Sequence, residues 1–430
     1  MGLGKTIQVL AMLLRYHTQH PQEPSLIVVP RSLVSNWASE AEKFCPSLKI
    51  MDLSGTTRDW TAVARDQPDL VITTYGLLRQ DIKDISKISF AYAVLDESQI
   101  IKNQGSLAAK ATLLIKSRHR LAMSGTPIEN HMRELMSLMN FLNPGLLDSP
   151  HWKEVFSKKF DAQNPFVKNL VTAIRPLMLR RTKALVLKDL PAKVEDVLYC
   201  DLEGEQKLHY EQLRKHYQIN LLPQLQDANW KKSSIVLIEA LLRMRQAACH
   251  SGLVDKEFSH VPSSKLETLF DKLQEIRASG HKALIFSQFT SFLKIAAAQF
   301  SQEGIPFEYL DGSTRDRAAR VNRFQSDPSV PFFLISLKAG GVGLNLTAAD
   351  YCFILDPWWN PAAEAQAIDR AHRINQKNTV FAYRLIARGT VEEKIQALQR
   401  NKREMVESIL DGEGSLIKEL DLKSIQSLFS

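Results

Sequence analysis

Three groups of residues have types and spacings suited to chemistry on a phosphate anhydride. The first is Gly2-Leu3-Gly4-Lys5-Thr6, opening the stretch "MGLGKTIQVLAMLLRY". Glycines let the backbone turn its N–H groups toward phosphate oxygens, a lysine neutralises the β- and γ-phosphates, and a threonine hydroxyl ligates Mg²⁺. The apolar-periodic helix from Ile7 would aim its positive end at the same anion. The second group is Asp96-Glu97, at the exit of the apolar run "AYAVL". A carboxylate at the carboxyl end of a buried parallel strand lies where α/β folds bind ligands; there an Asp holds Mg²⁺ and an adjacent Glu orients the attacking water. Taken alone, such a pair is more often a solvated strand exit. The third group is Gln366, Arg370 and Arg373, spaced i, i+4, i+7 so that one helical face would present all three. Lys and Glu serve a merely solvated face equally well, whereas planar guanidiniums are what spread phosphate charge requires.

Two further stretches sit where they could act with these. Ser124-Gly125-Thr126-Pro127 follows the strand after Asp96-Glu97. Its residue types favour an ordinary turn, but its place makes Ser124 and Thr126 candidate sensors of a γ-phosphate. In "SLKAGGVGLNLTAAD", Gly340, Gly341 and Gly343 allow close backbone approach to a ligand, which suits a sugar-phosphate strand. Trp358-Trp359 reads as core for at least one of the two rings.

These residues need a scaffold of parallel strands. Short runs of almost wholly apolar residues at 25–29, 69–74, 92–96 and 120–124 alternate with amphipathic helical segments such as "VSNWASEAEKF". That alternation predicts a doubly wound α/β domain over residues 1–140. Residues 141–262 read as a helical insertion and linker, with long segments such as "GEQKLHYEQLRKHYQ". The α/β rhythm returns over 263–410, with strands expected at 282–288, 307–312, 332–337, 351–356 and 380–386, a charged helix after them, and a tail over 411–430. At 430 residues, 44% hydrophobic and 24% charged, the chain suits two folded domains rather than disorder. The formal charge of +8 permits attraction to a polyanion without requiring it. Cys45, Cys200, Cys249 and Cys352 are too scattered for a zinc site or disulfide framework, which points to a reducing cytoplasm. No apolar run is long enough to span a bilayer.

With these pieces in order, the sequence resembles the SWI/SNF-type ATPases of helicase superfamily two, over essentially its whole length. "MGLGKTIQ" is similar to motif I, "VVPRSLVSNW" to motif Ia, "VITTYGLL" to the next motif and "LDESQIIKN" to motif II. "LAMSGTPIEN" resembles motif III and "ALIFSQFTSFL" motif IV, with "YLDGSTRDRAARVNRF" just after it. "SLKAGGVGLNLTAAD" and "QAIDRAHRINQ" resemble motifs V and VI. "LRRTKALVLKDLPAK" and "LRMRQAACHSGLV" are typical of this branch and not of DEAD-box RNA helicases.

The resemblance implies two RecA-like lobes using ATP and Mg²⁺. Lys5, Thr6, Asp96 and Glu97 would come from the first lobe, with Thr6 and Asp96 holding the metal; Arg370 and Arg373 would reach in from the second. Gly2, Gly4, Gln366 and Gly343 are expected to bind nucleotide, and Gln99, Ser124 and Thr126 to couple its state to movement. Double-stranded DNA would be gripped chiefly through phosphates, with Ser32, Thr74, Gln288, Lys338, Gly341 and Asn345 as candidate contacts. The implied activity is that of a monomeric, nucleoid-associated DNA-dependent motor acting on a bound complex such as RNA polymerase or a nucleoid protein. Motif II carries Gln99 where many relatives have His; Gln still donates and accepts hydrogen bonds but does not titrate, and the form looks most like the bacterial and archaeal branch. The strand and first half of the phosphate loop would lie upstream of Met1, so the chain is expected to be truncated within motif I. Two other readings follow: an ATPase-defective DNA-binding remnant of such a motor, and a strand-separating helicase.

Overall fold

The computed structural model describes residues 3–21, 23–125, 132–146, 172, 174–179, 181, 183–187, 189–220, 234–340, 344–357 and 361–397. The described residues fall into two compact units, one ending at Arg181 and one beginning at Lys183.

The first unit is built on five strands: β1 (Ser25–Val29), β2 (Ile50–Asp52), β3 (Leu70–Thr74), β4 (Ser89–Leu95) and β5 (Lys116–Ala122), in the order β2-β3-β1-β4-β5. Every pairing is parallel, with Ile27 opposite Ile72 on one side and Val94 on the other. "SLIVV" is buried at all five positions, as a central strand covered on both faces must be. Leu26, Val28, Val71, Ala93 and Leu95 point into a core with Tyr75, Leu78 and Ile85 of the helix Tyr75–Ile85 and Phe141 of the helix Met132–Leu142. Ile27, Val29 and Ile72, directed the opposite way, are equally buried. The helices Lys5–Gln19 and Val34–Phe44 pack on each other, burying Leu10, Leu13, Trp37 and Ala41. At the sheet's margin, β5 exposes Lys116, Arg118 and His119, charge of the kind that suits an edge strand.

The second unit holds six parallel strands: β6 (Lys193–Cys200), β7 (Ala283–Ser287), β8 (Phe307–Leu310), β9 (Phe332–Ser336), β10 (Tyr351–Ile354) and β11 (Val380–Ala387), in the order β6-β11-β10-β7-β9-β8. Alternation along β9 shows how the sheet is sandwiched. Phe332 and Leu334 join a core with the helices Ser264–Ala278 and Thr290–Gln302. Phe333 and Ile335 join another with Phe324 of the helix Arg317–Ser326 and Ala367 and Ile368 of the helix Pro361–Ile368. Both lobes are therefore parallel-sheet α/β units, as the sequence pattern predicts.

Each expected strand overlaps an observed one, and two strands were not anticipated. β2 is only three residues long. β6 lies inside the stretch read as helical, because "KVEDVLYC" carries charge at the positions that would show an apolar alternation. Its register comes from β11, running from Lys193 opposite Val380 to Cys200 opposite Ala387. The helices Gly204–Asn220 and Ser234–Cys249 also belong here: Tyr210, Leu241 and Met244 share a core with Ala387, Val391 and Ile395. The second lobe thus begins well before residue 263, a correction to the expected boundary. Among the described residues, no helix is long and apolar enough to cross a membrane.

Candidate active site

The helix Lys5–Gln19 starts from Gly4, which sits at φ 70° and ψ 34°. A Cβ there would meet no atom within 4 Å, so glycine is needed for the left-handed backbone and not for space. Gly4 as the N-cap has no side chain to cap this helix and the first turn carries no acidic residue, so the first-turn N–H groups and the positive helix end are suited to receive an anion. Lys5 and Thr6 are half-buried at this start. Gly2, Gly341 and Gly343, together with Thr126, Pro127, Trp358 and Trp359, lie outside the described residues.

Asp96 and Glu97 follow directly on β4, at its carboxyl end, and both are buried. Asp96 is held from three directions. The Trp37 indole donates to Oδ2 at 2.9 Å, the Glu97 backbone N–H to Oδ1 at 2.8 Å, and the Tyr75 hydroxyl to the Asp96 carbonyl at 2.7 Å. Burial raises the Asp96 carboxyl above the ordinary range, against the Trp37 hydrogen bond and the nearby Lys5 charge, which both favour the ionised form. Lys5 is therefore within electrostatic reach of Asp96. With one donor on each oxygen, the carboxylate keeps lone pairs for a hard cation, and Asp96 with the Thr6 hydroxyl is an oxygen donor set that fits Mg²⁺.

Glu97 takes a left-handed backbone, φ 48° and ψ 51°, uncommon for a residue with a side chain and frequent where function over-determines the chain. From it runs a chain of side-chain hydrogen bonds. Gln99 Nε2 donates to Glu97 Oε2 at 2.6 Å, and the Ser124 hydroxyl donates to Gln99 Oε1 at 2.9 Å. A carboxamide is suited to this position, since it offers a donor toward the carboxylate and an acceptor toward the hydroxyl. The backbone supports the same link, with Ser98 N–H on the Met123 carbonyl and Met123 N–H on the Leu95 carbonyl, both at 2.8 Å.

In the second lobe one expectation is corrected. The helix Pro361–Ile368 ends before Arg370 and Arg373, so no single helical face carries both with Gln366. The bonds that follow mix the tighter kind, Arg370 N–H to the Ala367 carbonyl and Ala371 N–H to the Ile368 carbonyl, with a wider one from His372 N–H to the Ile368 carbonyl, and Asn375 at φ 80° closes the turn. The two guanidiniums nevertheless converge: Nη1 of Arg370 and of Arg373 reach the Leu344 carbonyl at 3.4 and 3.1 Å. Gln376, not anticipated as a site residue, ties the end of the turn down. Its Nε2 donates to the carbonyls of Thr347, Ala349 and Ala371, and its Oε1 accepts from the N–H groups of Lys377 and Asn378.

Four of the expected DNA contacts lie at the carboxyl ends of strands in their own sheets. Ser32 is in the turn after β1, Thr74 ends β3, Gln288 follows β7 and Lys338 follows β9. Asn345 is exposed and gives its carbonyl to Gln325. Thr74 also supports the fold directly, because its buried hydroxyl accepts the Leu77 N–H and caps the next helix. Trp37 and Tyr75 escaped the sequence reading as site residues, although both stand in the quoted motifs. A buried aromatic with a polar tip, on an element flanking the acidic strand, is the signal that could have marked them.

Two parallel α/β lobes, a Gly-Lys-Thr helix start, an acidic pair at a strand exit and a paired-arginine turn are the features of a two-lobed, helicase-like protein. The chain belongs to the SNF2 family. Residues 1–253 match the SNF2-related domain and residues 264–375 the helicase conserved C-terminal domain. Over its full length it is 35% identical to an uncharacterized ATP-dependent helicase of Mycoplasma pneumoniae, of which it covers 41%. It is 32% identical to the TATA-binding protein-associated factor MOT1 of Saccharomyces cerevisiae, of which it covers 27%. The chain thus spans less than half the length of these relatives. A solved SWI2/SNF2 ATPase core of Sulfolobus solfataricus in complex with dsDNA is 34% identical, with a TM-score of 0.47 over 100% of this chain and 91% of that one.

Proposed function

We propose that the chain is the motor core of a DNA-dependent ATPase that translocates along double-stranded DNA and displaces or rearranges a protein bound there. The observation that carries the reading is the chain of hydrogen bonds from Glu97 through Gln99 to Ser124, beside an Asp96 held by Trp37 and within reach of Lys5. Lys5 and the first-turn N–H groups, with Gly2 and Gly4 shaping the approach, neutralise the phosphates of ATP. Asp96 and Thr6 hold Mg²⁺, which supplies charge for the developing phosphate oxygens when bound. Glu97 orients the attacking water and accepts its proton. Arg370 and Arg373 supply the planar cations that the γ-phosphate needs as it leaves, with Gln366 and Gly343 on the nucleotide side. Gln99, Ser124 and Thr126 report the state of the γ-phosphate to the rest of the first lobe.

Ser32, Thr74, Gln288, Lys338, Gly341 and Asn345 are proposed to track one strand of a duplex through its phosphates. The name of MOT1, which marks it as an associated factor of a TATA-binding protein, supports a protein–DNA complex as the object acted on. We place the enzyme on the nucleoid as a monomer.

Phosphate release measured with and without duplex DNA tests this. Stimulation by DNA is expected, and its loss in Lys5→Ala and Glu97→Gln. DNA binding without hydrolysis by the unmodified chain would instead support a remnant that binds DNA alone. Displacement of a strand from a tailed duplex would support a separating helicase.

A further inference from the structure

The turn after the helix Pro361–Ile368 poses a mechanical question. Arg370 and Arg373 lie beyond the end of regular structure, so something other than a helix must hold their backbone directions. The Leu344 carbonyl and Gln376 hold the turn on one side.

The segment leading into β6 supplies a second set of contacts, from far away in the sequence. Lys183 Nζ donates to Asp369 Oδ1 at 2.7 Å and also to the backbone carbonyl of His372. A few residues on, the Pro191 carbonyl accepts a hydrogen bond from His372 Nε2 at 2.8 Å. The Lys183 and Asp369 side chains are 14% and 20% exposed, so the pair is shielded more than a surface ion pair. The positions gripped are the informative part. Asp369 immediately precedes Arg370, and the His372 carbonyl belongs to the peptide bond that leads into Arg373. One ammonium group therefore fixes the chain just ahead of both arginines. Burial is the main influence disfavouring the Lys183 cation, with smaller contributions from the Lys193 and Arg373 charges; Asp369 supplies the compensating charge.

We propose that Lys183 is a positioning residue for ATP hydrolysis, holding the Arg370–Arg373 turn through Asp369 and the His372 carbonyl. This rests on the reading that those two arginines act on the γ-phosphate. Lys183 acts through Asp369 and the His372 carbonyl, setting where the guanidiniums stand.

The experiment uses steady-state ATP hydrolysis by the full chain with saturating duplex DNA, with thermal unfolding of each variant alongside. Lys183→Met is expected to lower kcat about ten- to hundredfold, the scale on which a displaced catalytic group is felt. The KM for ATP should change less than about threefold, because the missing interaction acts in the transition state. Arg370→Ala and Arg373→Ala are expected to lower kcat as well. In the Arg373→Ala background, adding Lys183→Met should cost less than about twofold more, since residues acting as one unit are not additive. A purely structural lysine would exact its full factor again. If Lys183→Met does not fold, Asp369→Asn keeps the shape of the turn and weakens the ion pair; a kcat fall of at least about threefold is then expected. Loss of kcat in both arginine variants with none in Lys183→Met or Asp369→Asn overturns the positioning role alone. Unchanged kcat in both arginine variants overturns the underlying reading of the arginines, and the positioning role with it.

Discussion

Replacing Trp37 by Phe isolates one hydrogen bond to the carboxylate proposed to hold Mg²⁺. Phe keeps most of the buried ring and removes the indole N–H that Asp96 Oδ2 accepts at 2.9 Å. The remaining direct donor to the carboxylate, the Glu97 backbone N–H, is untouched. A hydrogen bond to a charged group contributes about 1.5–3 kcal/mol. It favours the ionised form, so its removal drives Asp96 further in the direction burial already pushes it, upward. The acid limb of the kcat profile should therefore move toward neutrality.

The stability readout has its own sign. Asp96 is raised in the folded state, so the folded protein holds its proton more tightly than the unfolded chain, and ionisation costs stability as pH rises through the folded pKa. Trp37→Phe enlarges that cost. The deficit against the unsubstituted protein should therefore be small in acid and grow to about 1.5–3 kcal/mol above the Asp96 transition, on top of a pH-independent loss from the smaller ring. Urea unfolding at several pH values measures the second effect, and phosphate release across pH with saturating ATP and DNA measures the first. A stability deficit that is the same at every pH, with an unmoved acid limb, would refute the reasoning.

Gln99→Met removes both side-chain bonds of the Glu97–Gln99–Ser124 chain while keeping length. Its effect should fall on coupling, reducing stimulation by DNA about tenfold and basal hydrolysis less, as seen by comparing the two rates; an equal fall in both would count against the coupling role. Lys265 is fully buried and donates to Glu392 at 2.7 Å and the Leu355 carbonyl at 2.6 Å, close to Asp356, whose carboxyl burial pushes up to about 7 against the opposing pull of Arg245. Lys265→Met should destabilise the second lobe by about 3–5 kcal/mol, and Lys265→Met with Glu392→Leu should recover much of that, as read from unfolding midpoints.

How much of this was legible beforehand can be argued from particular residues. β1 declared itself because a strand covered on both faces has to be apolar throughout, and "SLIVV" is. β6 did not, since its place depends on hydrogen bonds from β11 almost two hundred residues later, and local composition does not record a distant partner. The acidic pair was visible from its position at the end of an apolar run. Gln99 was visible as a departure from the histidine of many relatives, but not as the middle of a bonded chain. The arginine spacing suggested a helical face; the helix stops at Ile368 and the convergence is achieved by a turn instead.

The sequence by itself determined the family and the parallel α/β character of both lobes, and it marked the side chains proposed to handle phosphate. Those follow from short-range order: apolar periodicity, glycine and lysine at a helix start, and acid at a strand exit. Tertiary structure alone decided what holds each of those groups. Trp37 and Tyr75 on Asp96, Ser124 on Gln99, and Lys183 and Gln376 on the arginine turn are pairings between residues far apart in the chain. Their geometry exists only once each sheet has brought its own strand ends together, because a hydrogen bond depends on distance and direction, and sequence separation sets neither.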